Sequence, residues 1–163
     1  MAKTVVARWT AGMLFQATSG SGGRVRLVGD EGVAGYRPSE LLLSALVGCT
    51  GMDVISICRK KRQVIDRYEV RAFGEQWESD PRSYRRIVVE HVLRGPVVED
   101  VAVARAIRLS ATRYCVVTAQ LARGDVTIDN TYRVGASGCP DGELSEATLV
   151  VTVGPQGAGL EPR

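Results

Sequence analysis

The sequence predicts an α+β domain in which antiparallel sheets surround one long apolar helix. Stretches with alternating apolar and polar residues come in groups, separate from the helical stretches. This grouping is typical of α+β folds rather than of regularly alternating parallel ones. The 163 residues are 45% hydrophobic and 24% charged, as in an ordinary globular domain. The predicted order of elements is β-β-β-α-β-β-α-α-β.

Three short strands are predicted at the N-terminus, where apolar and polar residues alternate. They are expected over residues 3–9, 14–18 and 24–28. A turn containing Gly12 separates the first two strands, and a Ser/Gly-rich loop over residues 19–23 separates the last two. The three strands therefore form a meander.

The clearest predicted element is a helix over residues 38–61. Pro38 suits its first turn, because a proline there loses no hydrogen bond. Glu40 follows in the same turn, and basic residues 59–62 follow at the other end, so both charges suit the helix dipole. Apolar residues occur on nearly every face, which predicts a helix that is buried all round.

Strands and helices are also predicted in the second half of the chain. The predicted order is two strands, two helices and one final strand. Ser110 is the expected N-cap of the second helix. The ranges are 64–78 and 86–94 for the strands, 99–109 and 111–122 for the helices, and 125–134 for the last strand.

The composition changes after residue 134. Residues 135–163 hold six of the 18 glycines and three of the six prolines. The sequence therefore predicts a domain over residues 1–134 and a Gly/Pro-rich tail over residues 135–163, with one extra strand at residues 147–153.

The charge and hydropathy of the sequence indicate which partners and which cellular location to expect. The net charge of +3 is small and the basic residues are scattered, so no nucleic-acid partner is expected. The first nine residues lack the apolar core of a signal peptide. The apolar stretch 41–58 is interrupted by Ser44, Asp53 and Ser56, which favours a buried helix over a membrane span. The expected location is the cytoplasm.

The chain has four cysteines and one histidine, and their spacing matches no metal-binding motif. No CxxC pair is present and no cysteine lies near His91, so no metal and no cofactor are predicted. In the cytoplasm the four thiols are expected to be reduced. They are Cys49, Cys58, Cys115 and Cys139.

Cys49 is the most informative cysteine, because Gly48 and Gly51 flank it inside the predicted helix. Each glycine costs a helix interior about 1 kcal/mol relative to alanine. Either close packing or room for a substrate beside the sulfur could require them. Cys58 lies half a turn out of phase with Cys49, so the two face opposite sides of the helix. Whether Cys115 meets Cys49 stays open at this stage.

Two segments that each carry a cysteine resemble the OsmC/Ohr superfamily over roughly residues 1–134. The likeness is to OsmC-like proteins rather than to Ohr proper. The matching motifs in the first segment are Pro38-Ser39-Glu40-Leu41-Leu42-Leu43, Gly48-Cys49-Thr50, Asp53-Val54 and Arg59-Lys60-Lys61-Arg62-Gln63. Those in the second are Ala104-Arg105-Ala106, Leu109-Ser110 and Arg113-Tyr114-Cys115.

This resemblance implies an intertwined homodimer with two active sites at the subunit interface. It also implies a thiol peroxidase of oxidative stress defence. The Cys49 thiolate attacks an organic hydroperoxide and becomes a sulfenic acid, and Cys115 condenses with it to a disulfide. An external dithiol, of the lipoyl type in Ohr, then reduces the pair.

The family has an activating acid and an activating arginine, and this sequence offers one candidate for each. In Ohr and OsmC proper a glutamate directly follows the helix-starting proline, whereas here Ser39 follows it and the acid is Glu40. Glu40 is either catalytic or a helix-dipole acid. Arg24 is either a substrate-binding arginine or a solvated surface charge. Asp53, one turn after Cys49, would oppose thiolate formation if it shares that face.

Two other functions remain open. The first is a non-peroxidatic dimer that binds a small apolar or electrophilic ligand at the subunit interface. The second is a purely structural role for both cysteines, because buried cysteine often acts as a small hydrophobic residue.

Overall fold

The computed structural model describes residues 2–155 and residue 157. Over that part of the chain the order of strands and helices agrees with the predicted α+β class. The elements are β1 Val5–Ala11, β2 Leu14–Ser19, β3 Arg24–Val28, α1 Pro38–Lys60, β4 Arg67–Gln76, β5 Tyr84–Arg94, α2 Asp100–Leu109, α3 Val116–Leu121, β6 Thr127–Gly135 and β7 Thr148–Val153. A π-helical turn, Ser110–Tyr114, follows α2, and a 3-10 turn, Asp141–Glu143, precedes β7.

The chain divides after residue 42 into two compact units. The N-terminal unit holds a three-stranded antiparallel sheet in the order β1-β2-β3. Phe15 pairs with Leu27 across β2 and β3, and Arg24 pairs with Thr18. The predicted meander is therefore confirmed.

The C-terminal unit, from residue 43 onward, holds a four-stranded sheet in the order β4-β5-β6-β7. β4–β5 and β6–β7 are antiparallel, but β5 and β6 run parallel. The sheets are therefore antiparallel as predicted, apart from the β5–β6 pair, which is parallel for a topological reason. α2, the π-turn and α3 carry the chain back across the sheet before β6 begins, and such a crossover places two strands in parallel.

α1 buries one stripe of side chains rather than its whole circumference. The buried residues recur every four positions at Leu46, Thr50, Val54 and Cys58. Met52 lies outside this stripe and is 73% exposed. The predicted burial on every face is therefore wrong for a single chain, because the unit covers only one side of an apolar helix.

α1 is also the one helix in the described part of the chain that is long and apolar enough to cross a membrane. Its polar interruptions at Ser44, Asp53 and Ser56 therefore do not by themselves exclude a span. The packing of α1 favours the core-helix interpretation, because Leu46 and Val54 are at most 1% exposed within hydrophobic clusters of the same chain.

The predicted helix over residues 111–122 is interrupted. Ser110 does not cap a new helix, because α2 continues directly into the π-turn. Cys115 then adopts an extended conformation, with φ of −68° and ψ of 107°. It forms the N-cap of α3, where its Sγ accepts a hydrogen bond from the Thr118 N–H at 3.4 Å. Cys115 therefore lies at a break between two helices rather than within one.

The segment after residue 134 continues into the second sheet. β7 pairs with β6, and Asn130 lies opposite Val151. Before β7, the buried Arg94 guanidinium donates from Nε to the Cys139 carbonyl oxygen at 2.9 Å and also pairs with Asp141. Asp141 in turn accepts from Arg71 at 3.2 Å. These contacts attach the turn before β7 to β4 and β5.

We expect Asp141→Asn to lower the melting temperature at pH 7. The Arg94 side chain is only 2% exposed, and the substitution leaves its charge without a carboxylate. Hydrogen bonding to Arg71 and the nearby charge of Arg94 hold the pKa of Asp141 below its ordinary value. Because the folded pKa is depressed, the stabilisation is present at neutral pH and disappears as the pH falls through that pKa.

Thermal unfolding between pH 7 and pH 3 measures this effect. The difference between the parent protein and Asp141→Asn should shrink toward the acid end. Glu143→Gln, in the same exposed turn, is the matched control and should leave the melting temperature nearly unchanged. Equal melting temperatures for the parent and Asp141→Asn at pH 7 would contradict the stabilising role of this ion pair.

Candidate functional site

Cys49 and Cys115 meet in the C-terminal unit. The Sγ atoms of both residues and a carboxylate oxygen of Asp53 all lie within 4.8 Å of one another. Both cysteines are free thiols, and both pack in the hydrophobic cluster around Leu46 and Ile87. The two thiols are therefore adjacent but not joined by a disulfide.

Two local features bring the sulfurs together. Cys49 directly precedes Thr50, which belongs to the buried stripe of α1. Cys115 follows the π-turn, whose extra residue per turn rotates the chain that comes after it. The Cys115 N–H donates to the Ser110 carbonyl at 2.9 Å, which closes this turn. The wide turn therefore determines where the Cys115 side chain lies.

A small polar cluster adjoins the two thiols. Asp53 lies four residues after Cys49 on α1, and positions four apart are neighbours on a helix surface. The Ser110 hydroxyl donates to Asp53 Oδ2 at 2.9 Å and lies 3.0 Å from the Thr50 hydroxyl. Burial raises the pKa of Asp53, and the hydrogen bond from Ser110 partly offsets that rise. Sequence reasoning treated Asp53 only as an opposing charge and missed its link to Ser110.

The two thiols lie in different environments. Cys115 is 2% exposed, whereas Cys49 is only half-buried. Burial raises the pKa of Cys115 to about 11, with a further contribution from Cys49 and an opposing one from the Thr118 hydrogen bonds. Cys115 is therefore a neutral thiol at pH 7, and Cys49 is the more accessible sulfur for an attacking reagent.

The glycines beside Cys49 have separate explanations. A Cβ added at Gly51 would lie 3.3 Å from Val70 Cγ2, so Gly51 allows close packing of α1 on β4. Among the described residues, a Cβ added at Gly48 would meet no atom within 4 Å beyond the adjoining backbone of α1. Gly48 therefore leaves open space next to Cys49 rather than serving a contact of the same chain.

A shallow depression of about 200 Å³ lies between α1 and β4. Four of its five lining residues are apolar, and Leu43, Val70 and Ala72 also belong to the cluster in which Cys49 packs. The lining residues are Leu43, Ser44, Val47, Val70 and Ala72. Its size fits a small ligand rather than a drug-sized one.

Glu40 and Arg24 lie in the N-terminal unit. The exposed Glu40 carboxylate accepts a hydrogen bond from the Arg37 N–H at 2.9 Å. This is the backbone contact of a helix capping box, which gives Glu40 a structural role at the start of α1. Arg24 is exposed at the first position of β3. The catalytic role of Glu40 and the substrate-binding role of Arg24 stay predictions.

The other two cysteines belong to different surroundings. Cys58 is fully buried beside Val54 and Leu93, in the cluster that does not contain Cys49. This agrees with the half-turn phase difference predicted along α1. Cys139 is half-buried, because its segment is held against Arg94.

An α+β chain with two adjacent cysteines, one of them on a long helix, defines a known class of protein. The family model described as OsmC-like protein matches residues 29–130. Protein YhfA of Escherichia coli K12 is 36% identical over 130 residues, which cover 80% of this chain and 96% of YhfA. The chain therefore belongs to the OsmC-like family.

Solved structures show the same fold. A hypothetical protein from Aquifex aeolicus VF5 matches with a TM-score of 0.76 and 27% identity, covering 84% of this chain and 98% of its own. The organic hydroperoxide resistance protein OhrB of Bacillus subtilis matches with a TM-score of 0.56 and 20% identity, covering 81% of this chain and 98% of its own. At 20% identity the second likeness supports the fold alone.

Proposed function

We propose that this chain is a cysteine-based peroxidase that reduces organic hydroperoxides in defence against oxidative stress. The observation that supports it most directly is the adjacency of the Cys49 and Cys115 sulfurs. Membership of the OsmC-like family adds support.

In this proposal the two cysteines carry out different steps of the reaction, and their exposure indicates which step each performs. The Cys49 thiolate attacks the terminal oxygen of the hydroperoxide, the O–O bond breaks, and the alkoxide takes a proton to leave as an alcohol. Cys115 then attacks the Cys49 sulfenic acid, which releases water and forms the disulfide. An accessible sulfur suits the first role, and a sulfur already held within 4.8 Å of Cys49 suits the second.

An external dithiol, of lipoyl type, would complete the cycle. It must exchange with the Cys49–Cys115 disulfide through a mixed disulfide, which requires at least one exposed sulfur. Cys49 meets that requirement because it is half-buried. A reducing cytoplasm would keep the pair ready for the next turnover.

The proposal includes a homodimer that forms around the uncovered face of α1. Met52 is 73% exposed on this otherwise apolar helix, and the space at Gly48 is open. A second copy of the chain would cover both. Glu40 and Arg24 are proposed to assist the reaction from this interface.

The direct test is the mass of the fully reduced protein after one equivalent of cumene hydroperoxide. The proposal predicts rapid loss of two hydrogens, mapped by peptide analysis to Cys49 and Cys115. Glu40→Gln keeps an acceptor for the Arg37 N–H but removes the charge, and Arg24→Met removes the arginine charge. Slower oxidation in either variant supports its catalytic role. Thiols that stay unmodified in the parent protein for minutes contradict the peroxidase.

A second candidate function rests on the depression between α1 and β4, which shares three residues with the cluster in which Cys49 packs. Four apolar side chains and a volume of about 200 Å³ suit a small apolar or electrophilic ligand. Such a ligand should raise the melting temperature of Cys115→Ser as much as that of the parent protein. If the protein neither reduces hydroperoxides nor binds a small apolar ligand, a purely structural role for both cysteines is the remaining explanation.

A further inference from the structure

We propose that Cys49, Cys115 and Asp53 also form a binding site for one thiophilic divalent cation of the Zn²⁺ type. Two sulfurs and one carboxylate oxygen converge within 4.8 Å in the C-terminal unit. Thiolate and carboxylate are both established zinc ligands. The inference goes beyond the proposed peroxidase and does not require that reaction to occur.

The spacing of the donor atoms suits tetrahedral coordination. With Zn–S near 2.3 Å and Zn–O near 2.1 Å, the ligand atoms around a bound ion lie roughly 3.5–3.8 Å apart. The three atoms here are within 4.8 Å of one another, so they need to approach by at most about 1 Å. The half-buried Cys49 leaves the fourth position open toward solvent for a water molecule.

Groups behind the three ligands hold two of them in place. The Ser110 hydroxyl donates to Asp53 Oδ2 and is itself 3.0 Å from the Thr50 hydroxyl. The Thr118 N–H donates to Cys115 Sγ. Hydrogen bonds of this kind orient metal ligands, and losing one typically lowers metal affinity 10- to 100-fold.

The charge of the cluster also favours a cation. In the part of the chain that the structure describes, Asp53 is held by a hydroxyl and not by a cationic side chain. When the ion binds, the two S–H bonds break, two sulfur–metal bonds form, and two protons pass to solvent with no change of oxidation state. The divalent charge then offsets two of the three negative charges that the two thiolates and the carboxylate carry.

The sequence analysis predicted no metal site because the ligands do not form a spacing motif. Cys49 and Asp53 come from α1, while Cys115 comes from the break before α3. A bound cation uses both sulfurs. Metal binding and attack on a hydroperoxide are therefore mutually exclusive states of the same thiol pair.

The experiment uses the reduced, metal-free Cys139→Ser protein, which lacks the other half-buried thiol. Zn²⁺ is titrated against a chromophoric chelator, and Co²⁺ is added separately as an absorption probe. We expect one ion per chain and a tetrahedral cobalt spectrum with thiolate charge-transfer bands. Cys49→Ser and Cys115→Ser should each weaken binding by at least about 100-fold, and Asp53→Asn by about 10-fold or more.

Glu146→Gln, which changes an exposed acid elsewhere, is the control and should bind as the parent does. Circular dichroism establishes that each variant is folded. Absence of stoichiometric binding in the parent overturns the site, and so does unchanged affinity in folded Asp53→Asn, because the thiols would then act as a plain dithiol chelator. Oxidation of the thiols by hydroperoxide is measured separately in metal-free protein with a chelator present. The metal site and the peroxidase can therefore fail independently of each other.

Discussion

Cys49→Ser is expected to abolish the consumption of organic hydroperoxide, with a fall in rate of more than about 1,000-fold. The substitution removes the accessible sulfur and leaves Cys115, which is 2% exposed and has a pKa of about 11. A buried neutral thiol cannot replace a nucleophile that must reach a bulky peroxide. Stopped-flow loss of peroxide under dithiol turnover measures the effect.

Cys115→Ser should behave differently from Cys49→Ser. Its first reaction with peroxide stays rapid, but the product is the Cys49 sulfenic acid, which advances to sulfinic acid under excess peroxide. Intact mass then shows added oxygen rather than loss of hydrogen. Cys58→Ser, at a fully buried thiol in the other cluster, is the matched control and should retain the parent's turnover. Equal peroxide turnover in the parent and in Cys49→Ser would rule out the peroxidase.

Local signals explain which parts of the fold could be predicted. β3 runs from Arg24 to Val28 as its alternation indicates, and α1 begins at Pro38 and ends one residue before the expected Lys61. Proline and the charges near each helix end act within one turn, so they can be read from neighbouring residues. The parallel pairing of β5 and β6 depends instead on how the chain crosses the sheet.

The individual residues of the candidate site could be predicted from the sequence, but their arrangement in space could not. The flanking glycines singled out Cys49, and family resemblance singled out Cys115. Their adjacency depends on a π-turn, whose residues Ser110–Tyr114 match an ordinary helical pattern. The hydrogen bond from Ser110 to Asp53 joins two distant elements of the chain. No spacing rule within one element could reveal such contacts.

The exposed face of α1 leads to the second large expected effect, which concerns assembly. Met52→Glu should convert a dimer into a monomer at micromolar concentration. Burying a methionine is worth about 2 kcal/mol, and a two-fold interface loses that contribution in both copies. The combined loss of about 4 kcal/mol weakens association roughly 1,000-fold. Sedimentation equilibrium over a range of concentrations measures it.

Val101→Glu is the matched control, because Val101 is an apolar residue of α2 that is 81% exposed. It should remain dimeric with the parent's affinity. Gly48→Ala adds an independent check: it favours an isolated helix by about 1 kcal/mol, and among the described residues nothing beyond the adjoining backbone of α1 lies within 4 Å of the new Cβ. If a second copy fills that space, the alanine weakens the dimer despite the gain in helix propensity. A monomeric parent protein, or an undiminished dimer in Met52→Glu, would show that the apolar face of α1 serves another purpose.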